Sequence, residues 1–192
     1  MPIDEFRFLS GQASDAAMRL LGCQLVRTFA SGEQIALRIV ETEAYDQSDV
    51  ASHSYKGRTR RTEIMFGEYG YVYVYFTYGM HYCFNIVVGH EGYGAAVLIR
   101  AAEPLGDHTL LYKNRPGRKG VDLTNGPAKL CQALIINLEM NGHDISKDPL
   151  RLVIKPQLEA DEIVTTTRIG ISKAKDVPWR FYIKNNDYVS SL

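Results

Sequence analysis

The sequence has no excess of charge of either sign: 22 Lys and Arg residues balance 22 Asp and Glu. Attraction to a polyanion therefore cannot be read from net charge, and any nucleic-acid contact must rest on where the charges sit. Cysteine is scarce. Cys23, Cys83 and Cys131 are odd in number, widely spaced and in apolar company, which excludes a disulfide framework and fits reduced core thiols in a cytoplasmic protein. No stretch approaches the ~18 apolar residues of a membrane span. The opening Met1-Pro2-Ile3-Asp4-Glu5 has neither a positive n-region nor an apolar h-region, so neither secretion nor membrane insertion is expected. The histidines lack ligand spacing with the cysteines, so no metal and no cofactor is expected. Repeats, low-complexity tracts and domain-separating linkers are also missing. A chain of 192 residues then suits one domain over 1–192, burying roughly 70% of its unfolded surface.

The charges that are present are unevenly placed. Between residues 51 and 120, nine basic residues face five acidic ones, either as solvated loops or as a local footprint for an anion. The apolar pattern is mixed. Residues 14–22 open with cap-type Ser14 and Asp15, carry Met18, Leu20 and Leu21 near helical spacing, and stop at Gly22, which predicts a short helix. From Gln34 to Tyr45 the period becomes two, with Ile35, Leu37 and Ile39 on one parity, and that parity runs on into Glu41, Glu43 and Tyr45. A polar, basic loop follows to about Thr62, then a brief helical piece, Glu63-Ile64-Met65-Phe66.

Residues 71–77 alternate strictly, and 81–88 follow after only Tyr78-Gly79-Met80, a β-hairpin signal with glycine in the turn. A strand is expected at 94–102, ending at Arg100 and closed by Glu103-Pro104. Asn125-Gly126-Pro127 opens a helix through about Asn137. Further strands fit 151–155, 163–171 and 179–184. The fold class is α+β: a mainly antiparallel curved β-sheet with a protruding hairpin and a few flanking helices.

Two features carry chemistry. Strand propensity gives no reason to place two carboxylates, Glu41 and Glu43, on a parity that was apolar. Either the strand emerges into solvent at Glu41, or the carboxylates are held inside, where burial costs several kcal/mol unless they are hydrogen-bonded or used. A carboxylate held beside rings and a cation serves as a general base toward water. The second feature is aromatic: Tyr45, His53, Tyr71, Tyr73, Tyr75, Tyr78 and Tyr82 gather within a few strands. They form either a tyrosine-rich sheet face or a platform for stacking unpaired bases. Tyr78 stands apart, because hairpin tips usually carry small polar residues, whereas exposed apolar wedges fill gaps between base steps.

Arg38-Ile39-Val40-Glu41-Thr42-Glu43-Ala44-Tyr45, Ala51-Ser52-His53-Ser54, Tyr73-Val74-Tyr75, Tyr78-Gly79-Met80 and Asn85-Ile86 resemble the alkyladenine (3-methyladenine) DNA glycosylase family. Val97-Leu98-Ile99-Arg100-Ala101, Glu103-Pro104, the run from Gly126 to Ala133, Arg168-Ile169-Gly170 and Arg180-Phe181-Tyr182 continue the likeness in order over nearly the whole chain. The resemblance implies a monofunctional base-excision-repair enzyme. It would flip an alkylated or deaminated purine from double-stranded DNA and hydrolyse the N-glycosidic bond, leaving an abasic site. Glu43 would activate the water, with Arg100 and the backbone carbonyl of Ile169 holding it. Tyr45 and His53 would pack on one face of the base and Tyr75 on the other, with Asn85 crowding the 2-amino group of guanine. Tyr78 would fill the vacated place, with Met80 and His81 along the groove. Arg115 and Lys129 are candidates for phosphate contact, beside Lys56, Arg58, Arg60, Arg61, Lys113, Arg118 and Lys119. A monomer, associated with the nucleoid if the source is bacterial, suits a protein that scans DNA. The interval from Tyr45 to His53 is one residue shorter than in vertebrate members, and His81 stands where a groove-facing tyrosine is expected.

From the residues alone, a protein that grips damaged or single-stranded nucleic acid without cutting it is the main rival. A hydrolase of free nucleosides or glycosides and a lyase using a lysine Schiff base, with Lys129 the nearest candidate, are the others.

Overall fold

The computed structural model describes residues 5–190; Met1–Asp4, on which most of the leader expectation rests, and positions 191–192 lie outside the described residues. A one-turn 3-10 helix, Arg7–Ser10, leads into helix α1, Ala13–Leu20. Gly22 halts it at φ 82°, a left-handed conformation that only glycine adopts without penalty, and its N–H donates to the carbonyl of Ile39. The chain then forms β1 (Gln24–Thr28), which the sequence reading passed over, and the long β2 (Gln34–Asp46). The hairpin strands are β3 (Val72–Thr77) and β4 (His81–Val87). After β5 (Ala95–Leu105) come α2 (Thr109–Asn114) and α3 (Pro127–Leu134). The short strands β6 (Leu150–Val153), β7 (Ile163–Thr166) and β8 (Arg180–Ile183) complete the elements.

All the strand pairings are antiparallel, in the order β3-β4-β5-β2-β1-β6, with β8 bridging β2 and β7. The α+β class, the curved antiparallel sheet and the protruding hairpin are as the sequence implies. One sheet face packs under α1 and α3: Val72, Val74, Phe84, Ile86, Val97 and Ile99 join Ala16, Leu20, Leu130 and Leu134 in a single buried cluster. The other face carries the cavity described below. Among the described residues no helix is long and apolar enough to cross a membrane.

Strand β7, expected over 163–171, ends at Thr166, and the expectation differs from the structure at three further places. Strand β5 does not end at Arg100 but continues to Leu105. Pro104 is tolerated there because β4 pairs with β5 only at Leu98 and before, so one side of β5 has no ladder to break. Helix α3 stops at Leu134 rather than near Asn137, because Ile135 turns left-handed and its N–H closes back on the carbonyl of Gln132.

The third difference decides where the chemistry sits. Ile39 pairs with Ala102 but Glu41 with Ala101, and Thr42 with Ile99, so Val40 on β2 and Arg100 on β5 are each an extra residue in the ladder. The bulge at Val40 shifts the alternation by one. Ile35, Leu37 and Ile39, and after the bulge Val40 and Ala44, all belong to the helix-side core. Thr42 donates its hydroxyl to the carbonyl of Ala17 in α1. Glu41, Glu43 and Tyr45 are thereby turned to the opposite face, which corrects the expectation that they prolong the apolar parity.

Candidate active site

A cavity of about 530 Å³ opens on that opposite face, lined among others by Glu43, Tyr45, His53, Tyr75, Asn85 and Arg100. The size is that of a small-molecule site. Tyr78, Leu98, Pro127 and the segment from Ile169 to Lys173 complete its rim and floor.

Glu41 and Glu43 are both fully buried, so the strand does not emerge into solvent at Glu41. Glu43 accepts two hydrogen bonds and is ion-paired with Arg100. The backbone N–H of Ile169 (2.8 Å) and Nη1 of Arg100 (3.1 Å) reach Oε1, and the Tyr45 hydroxyl (2.7 Å) reaches Oε2. A carboxylate has about four acceptor positions, so three donors leave one, on Oε2 within the cavity wall. Ile169 thus meets Glu43 through its N–H, a contact absent from the expectation, which concerned its carbonyl. The Tyr45 hydroxyl is pushed well above the usual tyrosine range by burial first and then by the Glu43 charge, so it remains a donor.

Arg100 is held from behind by Glu41. The Glu41 carboxylate accepts Nε of Arg100 (2.9 Å), Nε of Arg180 (2.7 Å) and the hydroxyl (3.0 Å) and backbone N–H (2.7 Å) of Ser190. A buried carboxylate without such partners carries a penalty of several kcal/mol. The paired arginines supply the compensation, and they make Arg100 the bridge between the two acids.

The aromatic wall is set by the hairpin and by the loop after β2. Tyr73 and Tyr75 project into the cavity from β3 while Val72 and Val74 enter the core. Nδ1 of His53 lies 3.0 Å from the Tyr73 hydroxyl, and its ring meets Tyr75 edge to face at 4.6 Å between centroids. His53 keeps an exposed side at the cavity mouth, but desolvation of the rest of its ring pushes the imidazole down to about 4, with the nearby Arg61 charge adding to the effect. The loop bearing His53 is anchored by Ser54, whose hydroxyl donates to the carbonyl of Gly94 at 2.7 Å. Only glycine fits position 94, since a Cβ there would stand 2.7 Å from both Phe66 and Ser54. Asn85, opposite Tyr73 in the hairpin, donates its amide to the Tyr73 carbonyl at 3.1 Å while lining the cavity.

At the hairpin tip Tyr78 is 81% exposed and Met80 68%. Tyr78 has φ 51° and Gly79 φ 66°, so an aromatic residue holds a left-handed conformation that glycine or asparagine would fill at less strain. His81 lies half-buried at the start of β4.

The structure separates the basic candidates. Lys56, Arg58, Arg60, Arg61, Lys113, Arg118 and Lys119 are exposed. Arg115 is not: it is 8% exposed, and its Nη1 donates to the backbone carbonyls of Asp122 and Leu123. Desolvation lowers its pKa from the ordinary value. It stabilises the turn before α3, and the expectation that it meets a phosphate is withdrawn. Lys129 stands in the first turn of α3, half-exposed and paired with Asp122 at 2.6 Å and Asn125 at 2.8 Å.

Sequence reasoning gave no role to Arg168. Its side chain is fully buried, paired with Asp49 and hydrogen-bonded to the carbonyl of Ala44 (2.9 Å), with its guanidinium over the rings of Tyr45 (4.6 Å) and Trp179 (5.4 Å). It fixes the platform residue and, through the next peptide, the N–H of Ile169. The only sequence signal was its place in Arg168-Ile169-Gly170, since nothing in a lone arginine foretells burial.

Comparison with known proteins agrees with this geometry. A family model described as methylpurine-DNA glycosylase matches residues 7–187. A protein of Carboxydothermus hydrogenoformans is 52% identical over 175 residues, covering 91% of each chain. One from Francisella tularensis subsp. tularensis is 49% identical over 92% of each chain, and one from Methanoculleus marisnigri 46% identical over 91% of each. All three carry the name "Putative 3-methyladenine DNA glycosylase". The chain belongs to the methylpurine-DNA glycosylase family and is a DNA glycosylase of base excision repair, a hydrolase acting on N-glycosyl bonds.

Proposed function

We propose that the protein acts as a monomer on double-stranded DNA, turns a damaged purine out of the helix into the cavity, and cuts its bond to deoxyribose with a water activated by Glu43. The observation that carries this reading is the state of Glu43: wholly buried, oriented by Tyr45, Ile169 and Arg100, and left with one acceptor position on Oε2. A water held there donates one proton to the carboxylate as its oxygen attacks C1′. The negative charge beneath the sugar also favours an oxocarbenium-like transition state. The released purine leaves with the bonding electron pair, and the product is an abasic site with the strand intact, because no lysine is required.

Tyr45 and His53 then stack on one face of the extruded base and Tyr75 on the other, which requires a movement. His53 and Tyr75 touch at 4.6 Å, whereas a base between two rings needs about 7 Å, twice a van der Waals contact. The imidazole must turn aside, and its loop position at the cavity mouth permits that. Asn85, fixed on the Tyr73 carbonyl, limits what fits beside it and crowds the guanine 2-amino group, so that purines bearing it enter less readily. Tyr78 fills the gap left in the helix, with Met80 and His81 along the groove. Lys129 and exposed loop cations such as Arg60 and Lys119 contact phosphates. Damage itself lowers the flipping cost, which is a few kcal/mol for an intact base.

The test is direct. Purified protein is incubated with duplex oligonucleotides carrying 3-methyladenine, 7-methylguanine, hypoxanthine or ethenoadenine, and the freed bases are resolved. Release of at least one purine, with the strand unbroken before alkali, supports the reading; strand cleavage without alkali, or no base released from any duplex, contradicts it.

A further inference from the structure

Two of the rings that wall the cavity have a guanidinium stacked over them. Arg168 lies 4.6 Å from the centroid of Tyr45, and Arg61 lies 5.7 Å from that of Tyr75. Neither arginine lines the cavity, although both tyrosines do. Each ring therefore has a guanidinium over it that is not itself part of the cavity lining.

The two cations differ in what balances them. Arg168 is paired with Asp49, while its Nε and Nη2 are buried with no hydrogen-bond partner among the described residues and so face aromatic surface. Arg61 is exposed and forms no ion pair among the described residues. Its charge acts on Tyr73, directly beside it, and on His53.

A tyrosine face attracts a cation through its quadrupole. A guanidinium already on one face draws π density toward itself, so the opposite face holds a second cation less well. A purine stacked about 3.5 Å inside the ring would also stand on the order of 9 Å from Arg61. That is about a Debye length at physiological salt, where the charge of an exposed arginine is attenuated but not abolished. The effect falls on charged guests alone, because a neutral base of the same shape keeps its stacking and apolar contact.

We infer that Arg61, seconded by Arg168, sets lesion preference by discounting cationic purines against neutral ones at the Tyr75 and Tyr45 walls. This rests on the base-pocket reading above and adds which chemical class the pocket favours. N-alkylated purines carry a formal positive charge and are already easily unpaired and easily cleaved. Arginine-covered walls offset that advantage, so that uncharged lesions are processed at comparable rates by the same site.

The test uses the full chain and single-turnover rates on two duplexes identical except for the lesion, one with 7-methylguanine (cationic) and one with hypoxanthine (neutral). Arg61→Gln should raise the cationic-to-neutral rate ratio about 3- to 10-fold, the scale of an exposed cation–π difference. Arg61→Lys, which keeps the charge, should hold the wild-type ratio to within about 2-fold, and Arg60→Gln should change both rates alike, as the loss of a phosphate contact does. An unchanged or lowered ratio in Arg61→Gln overturns the inference, and so does an Arg61→Lys ratio that moves as far as the glutamine variant's. If the wild-type protein releases neither base, the base-pocket reading has failed instead.

Discussion

Replacing Glu41 by glutamine keeps the shape of the side chain and removes one negative charge from beneath the site. In the wild type that carboxylate is fully buried and takes Nε of Arg100, Nε of Arg180 and two donors of Ser190. The variant leaves Arg100 and Arg180 facing one fewer anion in a region where water cannot replace it. Removing one partner of a buried ion cluster destabilises by about 3–5 kcal/mol, a large part of a total of about 5–15. At about 2–4 °C per kcal/mol for a chain of this size, the melting temperature should fall by roughly 6–20 °C. An internal control is at hand. Arg38 and Glu103 also pair, but with 39% and 28% of their side chains exposed, so Glu103→Gln should cost no more than about 1 kcal/mol. Urea unfolding of both variants measures the contrast. If Glu41→Gln costs under about 1 kcal/mol, or no more than Glu103→Gln, the buried network does not organise the site as argued.

Acid should weaken the fold partly through His53. Its imidazole is held down to about 4 by burial against about 6.5 in an unfolded chain. As pH falls below about 6.5 the unfolded state takes up the proton first, so this contribution is complete above 6.5 and is lost as pH falls through about 4. Comparing wild type with His53→Gln over that range should show the wild type losing more stability; parallel curves would refute the assignment. At the hairpin tip, Tyr78→Gly removes a left-handed non-glycine residue and should leave stability unchanged or higher by about 1 kcal/mol, while base release from duplex DNA drops at least tenfold. Thermal unfolding and a release assay read the two effects, and full activity in that variant would exclude insertion of Tyr78.

The hairpin was legible because both strands alternate and the turn residues are local, so period and turn chemistry agree over Tyr71–Val88. Glu43 was legible through its neighbours in the motif. Its setting was not, because the bulges at Val40 and Arg100 depend on pairing between strands about 60 residues apart, and strict alternation extended past Ile39 places the acids on the wrong face. Arg115 and Arg168 show the same limit: an arginine in a basic loop and one in a late loop read alike, yet the first is buried by carbonyls a turn further on and the second by a carbonyl and ring far away in sequence. The contact of His53 with Tyr75 is likewise a product of the loop's anchoring at Gly94, which no spacing rule records.

In the proposed reaction the Glu43 carboxylate removes a proton from the attacking water. Glu43→Gln preserves the contacts that Glu43 makes with Arg100 and Ile169 through its remaining oxygen but deprives the water of a base. Measured side by side on one lesion-bearing duplex, its dissociation constant should stay within about threefold of wild type while the single-turnover release rate falls at least 100-fold, the scale of a lost general base. Release at the wild-type rate would show that another group does the work.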